Sequence, residues 1–153
     1  MQLAASAAFV LALSPSLFNG YVANICSTLE IRPCPHVYIA VTAAGPPNRA
    51  WVPAYRSDVI MIREWAVEEG DARWAHYVVA HELCHIKLRH QFMNYSSAEP
   101  KAVEEEKGRR EREADNCVKK LVTPFRWSEM QDGIAVMNWL GRLRKEEKLL
   151  SSR

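Results

Sequence analysis

The apolar positions of the chain follow two different rhythms. Up to about residue 62 they come in short runs rich in β-branched and aromatic side chains. Residues 36–42 (HVYIAVT), 50–54 (AWVPA) and 58–62 (DVIMI) read as strands. Pro53 confines the second to a sheet edge or ends it, and Gly45-Pro46-Pro47-Asn48 reads as a turn. From about Asp71 to His90 the rhythm becomes helical, with Ala72, Ala75, Val79, Leu83 and Ile86 at three- and four-residue steps. Asp71, after Gly70, is placed to cap that helix. Ser96 to Pro100 breaks the pattern. A highly charged second helix is expected from Pro100 to Val122, with proline at its start, and Thr123-Pro124 ends it. Ser128 with Gln131 resembles a capping box. It would open a last helix running to about Leu150, with Ile134, Met137, Leu140 and Leu143 on its core side. The prediction is an α+β fold, a small, mostly antiparallel sheet followed by three helices.

The chain has 153 residues, about one domain, and shows no internal repeat or low-complexity linker. No charged side chain precedes Glu30, and residues 3–13 (LAASAAFVLAL) are apolar. Eleven residues are too few to span a bilayer, which takes roughly 20. Their length and small side chains fit a signal peptide. The alternative is an alanine-rich helix lying on the domain. The division expected is a leader over 1–29, exported or membrane-associated, and one folded domain over 30–153. Net charge is +2, from 20 basic and 18 acidic residues, a balance that gives no electrostatic case for nucleic acid. Lys and Arg between 101 and 120 alternate with Glu, as on a solvated, self-paired face. Cys26, Cys34, Cys84 and Cys117 match no C-x-x-C pattern. Cys26 and Cys34 could pair in an oxidising compartment; otherwise the expectation is four free, mostly buried thiols.

The chemistry concentrates in His81-Glu82-Leu83-Cys84-His85, inside the first helix after the strands. At four residues' separation, His81 and His85 stand roughly 40° apart on one helical face. Two imidazoles on adjacent turns can hold one tetrahedral metal from the same side. Glu82 is offset from them, placed to hold a water rather than the metal.

A catalytic zinc needs a third protein ligand and an open position. His90 lies about 180° around the helix from His81, and no glycine breaks the helix between them, so it is placed at the helix end rather than at the metal. The charged helix offers carboxylates instead. Glu111, Ala114, Asp115, Val118 and Val122 share its apolar face, while Glu113 is about 200° from Glu111 and should face solvent. A carboxylate on a buried stripe is costly unless something pairs it, and a metal would. Glu104, two turns before Glu111, is a second candidate.

Taken together, His81-Glu82-Leu83-Cys84-His85 and, 26 residues later, Glu111-Arg112-Glu113-Ala114-Asp115 resemble the gluzincin metallopeptidases. The likeness is greatest to the HtpX-like and CAAX-prenyl-protease (Ste24-like) branch, which carries H-E-x-x-H and then E-x-x-A-D on the next core helix. The resemblance covers about residues 36–122. It implies that Glu111 is the third ligand of a single Zn²⁺, and that Asp115 hydrogen-bonds a ligand histidine, His81, fixing its tautomer. It also implies an edge strand that takes the substrate in extended form, with Val59, Ile60 and Met61 as the equivalent. The implied activity is a zinc metalloendopeptidase in which Glu82 is general base toward a zinc-activated water. Its partners are peptide or protein substrates. The integral-membrane members have several membrane spans and an oxyanion-stabilising side chain. This chain has no full-length apolar span, and Tyr95 and Arg126 are the candidates for the oxyanion, without a motif behind either. Two alternatives are a regulatory metallopeptidase of another branch, which cleaves a repressor or a crosslink and takes its third ligand elsewhere, and a zinc-stabilised binding module without turnover. A purely structural zinc site has no use for Glu82.

Overall fold

A computed structural model describes residues 15–40, 50–64, 66, 70–92 and 98–152. Four long helices and a three-stranded sheet make up the described chain: α1 (Pro15–Leu29), β1 (His36–Ala40), β2 (Ala50–Trp51), β3 (Val59–Arg63), α2 (Ala72–Lys87), α3 (Pro100–Leu121) and α4 (Pro124–Ser151). A single 3₁₀ turn, His90–Phe92, follows α2. The turn expected at 45–48 and the end of the first strand at 41–42 lie outside the described residues.

The centre of the fold is α2. Ten of its sixteen residues are buried, among them Trp74, Ala75, Val78, Val79, Ala80, Leu83 and Ile86. A helix buried almost all round must be packed on several sides, and here α1, α3, α4 and β2 all lie against it. Asp71 caps its start as expected, its carboxylate accepting from the Arg73 backbone N–H at 2.8 Å. Arg89, with φ of 61°, turns the chain out of the helix into the 3₁₀ turn.

The sheet has the order β1-β3-β2. β1 runs parallel to β3, from His36 opposite Val59 to Ala40 opposite Arg63. β2 runs antiparallel, with Ala50 opposite Ile62 and Trp51 opposite Met61. The sheet is therefore mixed rather than mostly antiparallel. It also overturns the placement of Val59, Ile60 and Met61 on an edge, because β3 is the central strand, hydrogen-bonded on both sides. Val59, Ile60, Ile62 and Arg63 are all buried, and burial on both faces is what a run without polar alternation signifies.

Helix α1 belongs to the same core. Val22, Ile25, Cys26 and Leu29 are buried at helical spacing within one apolar cluster with α2. Tyr21 Oη donates to the carbonyl of His76 at 3.0 Å, and its ring lies over the His76 imidazole. A Cys26–Cys34 disulfide fastens the end of α1 to the segment that enters β1. Residues 15–29 are thus a helix packed on the domain. Among the described residues, no helix is long and apolar enough to cross a membrane.

On α3, Arg110, Ala114 and Val118 form the buried stripe. The last helix starts at Pro124, where Thr123 Oγ1 accepts from the Arg126 N–H at 3.2 Å; the expected start at Ser128 is one turn too late. Threonine before proline caps a helix with a preset first residue, and it outcompetes the Ser128/Gln131 box. Met130, Gly133 and Met137 are the buried positions of α4. Ile134 and Leu140 pack against the core from its margin. Gly133 is required here, because a Cβ would stand 2.5 Å from the Trp74 backbone nitrogen.

Candidate metal centre

The second disulfide joins Cys84 on α2 to Cys117 on α3. The expectation of four free thiols is thereby corrected. Thirty-three residues separate the two cysteines in sequence, and only the packing of α3 against α2 brings them together. Cys84 precedes His85 and Cys117 lies two residues past Asp115, so the bridge ties the two ligand-bearing helices beside the site.

His81 Nε2, His85 Nε2 and the Glu111 carboxylate converge, with one ligand atom from each within 4.8 Å of the others. The two Nε2 atoms are 2.9 Å apart, and Glu111 Oε2 and Oε1 lie 3.0 and 3.4 Å from His81 and His85. Ligands of a tetrahedral zinc stand roughly 3.3 Å apart, so small side-chain shifts would admit the ion. The donor set, two imidazoles and a carboxylate, is one that zinc takes in open, catalytic sites. Hydrogen bonds from His81, and then from His85, hold the Glu111 carboxyl well below the carboxylate range, so it is available as an anionic ligand. Its side chain is 63% exposed, which leaves the centre open toward solvent. Glu104 takes no part; it is exposed and pairs with Lys107.

Each ligand imidazole is held from behind. His81 Nδ1 lies 2.9 Å from Asp115 Oδ1, one helical turn beyond Glu111. Tyr77 Oη, one turn before His81, donates to the same Asp115 oxygen at 2.7 Å and stands 3.1 Å from His81 Nδ1. Burial, reinforced by Asp115, pushes the Tyr77 hydroxyl up, so it stays a donor. Burial works against the Asp115 carboxylate, yet hydrogen bonds from His81 and Tyr77 keep it below its ordinary range. With Nδ1–H directed at Asp115, Nε2 is the His81 nitrogen that would exchange its proton for a metal. His85 is held differently. Its Nδ1 lies 2.8 Å from His90 Nδ1, and His90 Nε2 lies 3.1 Å from Glu113 Oε2. Glu113 therefore does not face solvent alone, since the 3₁₀ turn covers that side of α3. Tyr77 had no signal beyond its four-residue spacing from His81.

Glu82 is buried, 8% exposed. Burial pushes its carboxyl up, against the lowering effect of His85, His81 and the Val52 backbone N–H. Val52 follows β2 directly, so the β2 edge of the sheet is what reaches Glu82. Of the two oxyanion candidates, Arg126 is engaged by other partners, 2.6 Å from His76 Nδ1 and 3.1 Å from Glu129. Tyr95 lies outside the described residues.

No protein-family model matches the chain, and no curated protein sequence matches it. Among solved structures, the fold is similar to that of the metallopeptidase zymogen of Methanocaldococcus jannaschii jannalysin. The TM-score is 0.50 at 16% identity, over 80% of this chain and 96% of that one. At that identity the likeness speaks for the fold alone. Four helices around a small mixed sheet are compatible with a zincin-like metallopeptidase fold.

Proposed function

We propose that the protein is a zinc-dependent metalloendopeptidase. The observation that carries this reading is the convergence of His81, His85 and Glu111 on one point, with the buried carboxyl of Glu82 beside it. The fold shared with a metallopeptidase zymogen supports it. Zinc bound there would polarise the scissile carbonyl and make water more acidic. His81, His85 and Glu111 hold the ion, and Asp115 and Tyr77 orient His81. Glu82 accepts the proton of the attacking water and passes it to the leaving amine. Burial raises its carboxyl toward the pH at which that exchange is efficient. The peptide is received in extended form at β2, not β3, because β2 is the outer strand that leads into Val52 and Glu82.

Within the peptidases, the Glu111…Asp115 spacing favours the HtpX-like and Ste24-like gluzincin branch over a regulatory branch with a different third ligand. A non-catalytic zinc module is disfavoured by Glu82 and by the exposed side of the centre. Two disulfides fit an oxidising compartment, in keeping with export. The test pairs zinc analysis with proteolysis. The wild type should carry one zinc and cleave casein in a chelator-sensitive way, and Glu82→Gln should keep the zinc and lose cleavage. Cleavage at the wild-type rate by Glu82→Gln refutes the mechanism.

A further inference from the structure

His81 and His85 are supported unequally. A carboxylate reaches His81 directly, whereas the only side chain at hydrogen-bond distance behind His85, among the described residues, is another imidazole. We infer that His90 and Glu113 are positioning residues for His85, forming a hydrogen-bond relay that fixes its tautomer for metal binding. The inference rests on zinc binding at His81, His85 and Glu111.

One assignment of protons satisfies both contacts of the relay. Glu113 is acceptor-only as a carboxylate, so His90 must present Nε2–H to it across 3.1 Å. A neutral His90 protonated at Nε2 has a lone pair at Nδ1. That lone pair can only accept, so His85 must donate Nδ1–H across 2.8 Å. Nε2 is then the His85 nitrogen that gives up its proton and turns its lone pair to a metal shared with Glu111 and His81. The opposite tautomer would set two lone pairs against each other at 2.8 Å and point an N–H at the metal position.

The relay is built rather than incidental. The His90 side chain is only 10% exposed, so water does not compete freely for its nitrogens. Its backbone is held from α3, where the buried Arg110 donates from Nη1 to the His90 carbonyl at 3.0 Å. Glu106 locks that guanidinium, accepting from Arg110 Nε and Nη2 at 2.9 Å. Arg109 bonds Glu113 from the preceding turn and Glu106 as well. Both ends of the relay are thus anchored to α3, the helix that carries Glu111 and Asp115. A hydrogen-bond partner of a metal ligand is commonly worth 10–100-fold in metal affinity.

The test measures zinc affinity by competition with a chromophoric chelator, and the visible spectrum of the Co²⁺-substituted protein. His90→Leu should weaken zinc 10–100-fold and alter the cobalt bands. His90→Asn, whose side-chain carbonyl can accept the His85 Nδ1–H, should recover most of the affinity. Adding Glu113→Ala to His90→Leu should cost nothing further, because Glu113 acts through His90. Wild-type affinity in His90→Leu, or no recovery in a folded His90→Asn, overturns the relay. A wild type that binds no zinc overturns the metal centre itself.

Discussion

Replacing Cys84 and Cys117 together by alanine cuts the disulfide between the helix of His81 and His85 and the helix of Glu111. The bridge closes a 33-residue separation. In the chain-entropy picture, freeing such a loop in the unfolded state costs about 3.7 kcal/mol at 25 °C. The other bridge spans 8 residues, which corresponds to about 2.5 kcal/mol. The two loops do not overlap in sequence, so the costs should add. Total stabilities run at about 5–15 kcal/mol, so losing both bridges would leave a marginal fold. The assay is urea unfolding of the metal-free protein. With an m-value of about 2 kcal/mol/M, the double alanine variant should unfold about 2 M earlier. Wild type unfolded with a phosphine reductant should fall by both costs without any cavity at Cys84. Zinc should also dissociate faster from the variant, since Glu111 is then held to α2 only by packing and by the Asp115 hydrogen bonds to His81 and Tyr77. A shift corresponding to under about 1 kcal/mol, with unchanged zinc dissociation, would refute the reasoning.

Glu111→Ala should lose zinc by more than the 10–100-fold typical of ligand-supporting residues, as measured by chelator competition; retained zinc would point to the regulatory branch. Burial lowers the His81 imidazole, but hydrogen bonds to Asp115 and Glu111 outweigh it and raise it from 6.5 to about 9. In the metal-free protein this contributes stability of order 3 kcal/mol that is fully present below pH 6.5 and lost as pH rises through 9. Urea midpoints of the metal-free protein should fall across that window while zinc affinity climbs, because zinc displaces the Nε2 proton. A profile in Asp115→Asn as steep as the wild type's would contradict this. Gly133→Ala drives a Cβ into the Trp74 backbone, 2.5 Å away. It should cost about 1–3 kcal/mol in chemical denaturation by pushing α4 off α2.

Local chemistry was legible from the chain alone. His81, Glu82 and His85 lie within five consecutive residues of one helix, so the common face of the two histidines and the offset of Glu82 follow from 3.6 residues per turn and nothing else. Asp71 was readable as a cap for the same reason, since a cap is a contact between near neighbours. Periodicity placed Ala114 and Val118 inside, but it put Glu111 on the same stripe, whereas the buried position there is Arg110 and the Glu111 side chain is 63% exposed. The central position of β3 left a trace in its unbroken apolar run; strand order itself depends on which chain lies on either side.

What only the tertiary structure decided are the relations between elements. Helical geometry alone turned Glu113 outward, and it is the return of the 3₁₀ turn over α3 that brings His90 between it and His85. Cys84 and Cys117 carry no spacing signature, and the Cα–Cα distance of 6.0 Å that lets them join is a property of how α2 and α3 pack. Tyr77 reaches Asp115 across 38 residues for the same reason. The five residues His81 to His85 thus determined what the site could hold. The docking of α3 and the following turn onto α2 decided what supports it, because hydrogen bonds and disulfides depend on distances that sequence separation does not set.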